Sequence, residues 1–456
     1  MADESETFSN PMEENSNCIG DVSFTTFNIL APIYKRLNGE CCESEFKEYW
    51  LSRNKCILDG LLHLKSSIMC LQEFWIGNEE LVGMYECRLS DAGYATYKLA
   101  RTNNRGDGLL TAVHRNHFRV LNYKELLFND FCDRVAQLLH VELIMNFSQN
   151  KIVNVEKEAV IVNTHLLFPH NSRYCFPRLQ QVYKILQYIE SYCEEYQLPP
   201  VPIILCGDWN GSKMGHVYKF LRSQGFVSSY DIAHHYTKWV SHRNHRGNIC
   251  GVDFIWLYNP NNHRRPLKES FMEAILGNIK NHLQDHGSYI TYSQFLHAFS
   301  QLGLTSHPFN ILSAEEVKEL WDHVDTNGDG VIEFSLLNLQ SAGNSQAFSQ
   351  QKRSSDEPKH RGTRGIMSNN STTIGFKIKN AVLFPPEVKE GLWPENYSLS
   401  DHAHLTVEFS PVTMQSTKQF ASRINESEET STGNRIWKQW LVDIDTVTAQ
   451  QVGEHS

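Results

Sequence analysis

The chain contains no run of about 18 consecutive apolar residues, so no segment reads as a membrane span. It also lacks an excess of positive charge: 42 Lys and Arg stand against 52 Asp and Glu, a formal net charge of −10. That argues against a processive clamp on nucleic acid, while leaving room for a polyanion held at one site. The eleven cysteines are dispersed and include no CxxC pair. They suggest neither a zinc framework nor a disulfide lattice, and reduced thiols are expected. The opening MADESETFSNPMEEN has neither the apolar core of a secretory signal nor the arginines of a transit peptide. A cytoplasmic and/or nuclear protein is the expectation.

What is present is globular in composition: 456 residues, 41% hydrophobic and 21% charged, enough for a large domain and a smaller one. The charge is uneven. Residues 268–345 hold three Lys and ten Asp or Glu, a net of −7 within the total of −10, so the remainder is close to neutral at −3. Residues 1–20 read as a disordered tail. From 21 to 262, short apolar runs such as VSFTTFNIL, SIMCLQEF, LLTAV, EAVIVNTHLLF, PIILCGDWN and VDFIWLY read as buried strands. Helical character appears at 45–65 and 176–196, where Leu179, Val182, Tyr183, Leu186 and Ile189 share one face. Between 265 and 340 the period changes. Phe271, Ile275, Ile279 and Leu283 recur every four residues, YITYSQFLHAF resembles half an EF-hand, and Ser313 to Glu316 is a capping box. Residues 341–374 are polar and read as a flexible linker. Strands resume within 375–410, and 411–456 read as a tail with a short helix at RIWKQWLV.

Polar groups gather at the ends of those strands: Asn28, Glu73, Asn163-Thr164-His165, Asp208 with Asn210, Asp253, and Ser400-Asp401-His402. Hydrolysis of a phosphate ester needs hard ligands for a divalent ion, a group that handles water, donors for the phosphorane and help for the leaving oxygen. Glu73 and Asp401 are hard ligands, with Asn28 as a neutral helper. Asp208 can orient or deprotonate water, and Asn210 and His165 can donate to phosphate oxygens. His402 is an acid/base or electrostatic group whose tautomer Asp253 can fix. A second constellation, DTNGDGVIEFSL at 325–336, places Asp325, Asn327, Asp329, the Val331 carbonyl and Glu333 at calcium-loop positions. Leu336 replaces the bidentate Glu at position 12, so only weak Ca2+ binding is expected. Asn103, Arg105 and Asp107-Gly108 read equally as substrate contacts or as a polar turn. Phe168-Pro169 reads as a strand exit, and His234, His235 and His242–His245 as solvated loops.

Taken in order, FNILAPIY, CLQEF, NTHL, GDWN, VDFIW and SDH resemble the motifs of the endonuclease/exonuclease/phosphatase superfamily, the deoxyribonuclease I-like fold. FNILA, LQE and NTHL are most similar to its deadenylase and nocturnin-like branch, here with an inserted EF-hand pair. The resemblance covers roughly residues 21–260 and 375–410. It implies an α+β fold, a four-layer αββα sandwich interrupted by a small all-α EF-hand domain. It also implies hydrolysis of phosphate esters dependent on Mg2+ or Mn2+. By that likeness Glu73 is the main Mg2+ ligand beside Asn28 and Asp401. Asp208 activates water, Asn210 and His165 hold the phosphate, and His402 pairs with Asp253. Leu30 stands where DNA-repair members carry an acid, which argues against that branch. The leucine-rich repeats of the best-known deadenylases are absent, and Trp209 and Gly211 stand where Phe and Ser are usual. The expectation is a hydrolase of phosphodiester bonds in RNA or a nucleotide, with Ca2+ possible at the inserted loop. The alternatives are a phosphatase acting on an inositol phosphate, a lipid headgroup or a small phosphoester, and a calcium-responsive interaction protein on an inactive scaffold. The EF-hand pair is the candidate surface for a protein partner.

Overall fold

The two-residue alternation of a strand sorts its side chains to opposite faces, and here both faces are covered. In the computed structural model, Ile68 and Cys70 of one strand enter the core between two sheets, while Met69 and Leu71 pack under helices on the outer side. The structure describes residues 20–333 and 372–415, apart from 129–132, 145–154, 170–174, 284–288, 306–311 and the single positions 38, 40, 214, 236, 303 and 326. Residues 1–19, most of the segment read as a linker, and 416–456 with RIWKQWLV lie outside the described residues, as does Leu336.

In chain order the elements are β1 (Val22–Asn28), β2 (Arg36–Leu37), β3 (Cys41–Cys42), α1 (Lys47–Leu64), β4 (Ile68–Phe74), α2 (Glu79–Asp91), β5 (Tyr94–Ala100), β6 (Gly108–His114), β7 (Phe118–Leu127), β8 (Val135–Leu143), β9 (Val155–Glu156) and β10 (Glu158–His165). They continue with α3 (Cys175–Glu195), β11 (Ile203–Asp208), α4 (His216–Ser223), β12 (Val227–Ser228), α5 (Ser229–Ala233), β13 (His242–Arg243), β14 (Ile249–Cys250) and β15 (Asp253–Tyr258). The inserted segment holds α6 (Leu267–Leu283), β16 (Tyr289–Thr291), α7 (Tyr292–Gln301), α8 (Ala314–Val324) and β17 (Val331–Glu333). The long strands β18 (Thr372–Phe384) and β19 (His404–Gln415) close the fold, and both extend beyond the 375–410 segment read from the sequence.

A seven-stranded sheet in the order β5-β6-β4-β1-β19-β18-β9 faces a six-stranded sheet in the order β12-β15-β11-β10-β8-β7. Helices α1 and α2 cover the first sheet, and α3 and α4 the second, which gives the αββα sandwich. Apart from the two-residue β9, the chain returns from the second sheet to the first only after the inserted helices, and β19 then pairs with β1 at the centre of the first sheet. Strands β5, β7 and β8 and helices α2 and α4 were not legible in the sequence. In β8 the cause is two buried polar residues. Gln137 hydrogen-bonds Thr111, Asn163 and the Tyr97 carbonyl, and His140 pairs with Glu158 at 2.9 Å.

The inserted helices share the main core. Phe271 of α6 stacks on Tyr183 of α3 at 4.2 Å and meets Phe220 of α4 edge-on at 6.1 Å. Strands β16 and β17 pair through Ile290 and Ile332, tying the two EF-hand loops together. Ser313 and Glu316 form the expected capping box at the start of α8. Among the described residues no helix is long and apolar enough to cross a membrane.

One buried cation ties distant segments together. Arg53 of α1 is paired with the buried Glu43, and it also donates to the carbonyls of Ile29, Leu30 and Leu399, each at 2.8 Å. A buried ion pair adds little when intact, but losing one partner strands a charge in low dielectric. Arg53→Met should therefore cost about 3–5 kcal/mol in urea unfolding, and adding Glu43→Leu should recover much of that loss.

Candidate active site

Register across the second sheet sets three acidic or imidazole groups side by side. His165 on β10 lies opposite Asp208 on β11, and Asp208 lies opposite Asp253 on β15. The pairing requires close backbone approach at Gly207, where an added Cβ would lie 2.0 Å from the Thr164 carbonyl oxygen. That is the physical reason for the glycine of GDWN.

The first sheet delivers the rest. Asn28 ends β1 beside Gln72 of β4. The ladder between β4 and β6 then slips at Glu73, which has φ of 53°. This bulge turns Glu73 out of its strand alternation and towards Asn28. Asn28 Nδ2 donates to Glu73 Oε1 and to Asp208 Oδ2, each at 3.1 Å, and so joins acids from both sheets. The Asp401-His402 segment is fastened to β1 because Ser400 Oγ donates to the Asn28 carbonyl at 2.7 Å. His402 Nδ1 is 2.9 Å from Asp253 Oδ2, and its Nε2 lies 3.7 Å from Asp208 Oδ2. Ser241 Oγ accepts the amides of Val252 and Asp253, holding that acid in place.

Electrostatics sort the titratable groups. Burial opposes the charge on Asp208, but His165 and His402 outweigh it and hold its carboxyl far below the ordinary range. Burial likewise works against a charged His402, yet Asp253 and Asp208 raise it to about 10, an imidazolium at neutral pH. Burial itself raises Asp253 above the ordinary carboxylate value, against the pull of His402. Burial and the nearby Arg134 push His165 down to about 4, so it is neutral. Glu73 is raised to about 7 by enclosure and by the like charges of Asp401 and Asp107. Burial also opposes the charge on Asp401, but His242 and His402 keep it below the usual range.

These features test the fit of a divalent cation. Glu73 is held against two other carboxylates, and Asp401 Oδ1 is buried without a hydrogen-bond partner among the described residues. Two carboxylates that repel each other, one with an orphaned oxygen, are the donor set a hard cation relieves. Asn28 uses Nδ2 on the two acids and Oδ1 to accept the Leu30 amide at 3.1 Å, so it braces the acids as well as offering an oxygen. Asn210 has three partners at the second sheet's edge. Its Nδ2 donates to the Leu166 carbonyl at 2.9 Å and lies 3.1 Å from His165 Nε2, while its amide donates to Asp208 Oδ1 at 2.9 Å. It shapes Asp208 before it meets any phosphate.

Sequence reasoning passed over His242. It was read as part of a solvated loop, but it is buried, stacks on the His402 ring at 4.3 Å, and lies 3.8 Å from Asp401 Oδ2. The β13-β14 hairpin carries it there, a pairing too short to show in any periodicity. Asp107 is also buried, held by Tyr34 at 2.7 Å and by Arg101 at 3.2 Å. Asn103 and Arg105 both turn to Asp133. The acid loop of the insertion is a separate cluster. Asp325 accepts the amides of Gly328 and Gly330, and Asp329 accepts that of Val331. Asn327 donates to Asp329 at 2.9 Å, and Val331 and Glu333 lie on β17.

The αββα fold gathers at its sheet edges the acids, amides and imidazoles that hydrolysis of a phosphate ester requires. By sequence the chain belongs to one family with a calcium-binding protein of Arabidopsis thaliana, and it shares a shorter stretch with the protein angel. It is 53% identical over 426 residues to the uncharacterized calcium-binding protein At1g02270 of Arabidopsis thaliana, covering 86% of this chain and 85% of that one. It is 27% identical over 173 residues to the protein angel of Drosophila melanogaster, covering 38% of this chain and 47% of that one. Among solved structures, the human Nocturnin catalytic domain with bound sulfate aligns over 52% of this chain and 82% of its own, with 21% identity and a TM-score of 0.40. No family model matches the chain.

The raised Glu73 carboxyl carries a signed consequence. A Glu held near 7 keeps its proton when folded and loses it near 4.5 when unfolded, so the folded state binds more protons between those values. Its contribution to stability therefore falls as pH rises through that window. Added Mg2+ should raise the melting temperature more at about pH 7.5 than at about pH 5, and Glu73→Gln should abolish that difference in a thermal-shift assay.

Proposed function

We propose that the protein is a Mg2+-dependent phosphodiesterase acting on RNA or a nucleotide. The observation that carries this reading is the Asn28 amide, which holds Glu73 of one sheet and Asp208 of the other within one hydrogen-bonding centre. Glu73 and Asp401, with Asn28 beside them, are the residues that would hold the cation. When bound, it supplies Lewis-acid polarisation of the phosphoryl oxygen. Asp208 is a poor proton acceptor at so depressed a pKa, so it orients the attacking water rather than storing its proton. His402, charged and backed by Asp253, stabilises the phosphorane. Neutral His165 and Asn210 fix the geometry of Asp208 from the opposite side.

The resemblance of FNILA, LQE and NTHL to deadenylase-type motifs supports a nucleic-acid or nucleotide substrate. The overall charge of −10 favours a short or small substrate over a long clamped one. The full chain is assayed with Mg2+ on a 3′-adenylated RNA, beside a panel of nucleotides, inositol phosphates and other phosphomonoesters. Release of nucleotide is expected, with Asp208→Ala reducing kcat roughly 10²–10⁴-fold. Turnover confined to phosphomonoesters would replace the nuclease reading with the phosphatase one, and turnover of nothing across several divalent ions would sink both.

The inserted loop is proposed to bind Ca2+ weakly through Asp325, Asn327, Asp329, Val331 and Glu333. The name of the Arabidopsis relative supports this. Calorimetry should show binding well below sensor affinity, weaker than about 10⁻⁵ M, because position 12 offers no bidentate carboxylate. Binding should be lost in Asp325→Ala, and a sub-micromolar site would contradict the reading.

A further inference from the structure

Immediately beside Asn210 the surface opens into a cavity of about 400 Å³ lined by Cys175, Arg178, Gly211, Ser212, Gly215 and His216, among others. Its chemistry differs from that of the catalytic centre. Arg178 enters it from the first turn of α3, with only 9% of its surface exposed. Among the described residues no carboxylate pairs with it. Its Nε is buried without a partner, and Nη1 reaches the Leu167 carbonyl only at a long 3.4 Å. A guanidinium offers five donors, and burying it with so few of them used is unfavourable unless an anion completes the set.

The opposite wall repeats the pattern. The helix α4 begins at His216 behind Gly215, and no side chain caps it among the described residues. The start of this helix, its positive end, therefore lies at the cavity wall. Gly215 allows this tight entry, since a Cβ there would lie 2.9 Å from the Ser212 carbonyl oxygen. Burial first, then Lys219 and Arg178, disfavour the proton on His216. Burial likewise disfavours the charge on Arg178; among the described residues Cys175 and then Asp208 oppose that, and Asp208 already belongs to the acid cluster beside Asn28.

We propose that Arg178, His216 and the uncapped start of α4 form an oxyanion subsite that holds a phosphate of the substrate other than the one cleaved. The subsite adjoins the reacting centre through Asp208, Asn210 and Gly211, so the two phosphates belong to one substrate, either a nucleotide bearing two or the neighbouring backbone phosphate of an oligonucleotide. The identity of the substrate rests on the hydrolase reading; the affinity for a phosphate does not. The subsite gives a non-basic protein a local grip on a polyanion, since charge-assisted hydrogen bonds from a buried Arg are strong ones.

The test begins with inorganic phosphate titrated into the full chain by calorimetry, without divalent ions. Wild type and Glu73→Gln should bind it. Arg178→Gln should weaken binding roughly tenfold or more, the loss expected of a charge-assisted contact, and Arg178→Lys should restore part of it. Equal melting temperatures separate that loss from misfolding. Wild-type affinity in Arg178→Gln, or no phosphate binding by wild type, overturns the subsite whether or not the protein hydrolyses anything. With turnover established, the KM of Arg178→Gln should rise at least tenfold more for a mononucleotide with two phosphates, or for an oligonucleotide, than for a mononucleotide with one. Which of the first two responds identifies the source of the phosphate, and an equal rise for all three overturns the proposal. Absence of turnover on every substrate would count against the hydrolase reading alone.

Discussion

The architecture of the site depends on one amide. Asn28 ends the central strand of the first sheet, and its Nδ2 is shared between Glu73 beside it and Asp208 across the sandwich. Two carboxylates from facing sheets approach one donor in a region shielded from water. Like charges brought so close raise one another's proton affinity unless a donor or cation stands between them. That constraint accounts for the rest of the neighbourhood. The imidazolium of His402 lies against Asp208 and Asp401, and Arg134 lies behind them, because buried anions need compensating charge. Compensation is incomplete at Glu73 and at Asp401 Oδ1.

Local backbone irregularities serve that convergence. Glu73 sits at φ of 53° on a bulge, and Asn210 at φ of 47° immediately after β11. Both are non-glycine residues in a sparsely populated region, a cost sustained only where surrounding contacts over-determine the conformation. Both are also the points where a side chain leaves the strand alternation to join the polar cluster at its own sheet's edge. Between the sheets, Asn163 and Gln72 hydrogen-bond each other at 2.8 Å, and Asn163 reaches Thr111 and Gln137. This polar layer within an apolar sandwich restricts how the two sheets can slide, since any slip would leave buried donors unpaired.

The inserted EF-hand pair is a structural neighbour of the site as well as an interruption of the chain. Helix α6 packs on α3 and α4 through Phe271, Tyr183 and Phe220. Those two helices carry Arg178 and His216 at their starts, so the calcium-type loop, the second anion pocket and the catalytic acids lie along one packed sequence of elements. Interior packing transmits displacement because it leaves little free volume. The insertion therefore meets the elements that carry Arg178 and His216 through side-chain packing on α3 and α4.

Much of this could be read from the residues alone. The apolar runs leading to Asn28, Glu73, His165 and Asp208, and the one that opens on Asp253, were visible as strands because fully buried strands are continuous in apolar character. The capping box at Ser313 was visible because capping is local. Strand β8 was hidden by Gln137 and His140, whose burial makes sense only beside Asn163 and Glu158 on other strands. His242 was hidden because its partners, Asp401 and His402, follow the whole inserted domain in the chain. The sequence by itself determined which chemical groups end which strands, since a strand's pattern and a helix cap act over a few residues. Only the tertiary structure decided that Asn210 serves Asp208, that Glu73 opposes Asp401, and that Arg178 stands beside an unclaimed pocket. Those facts depend on distances between segments far apart in the chain, and on the burial that makes each charge depend on its neighbours.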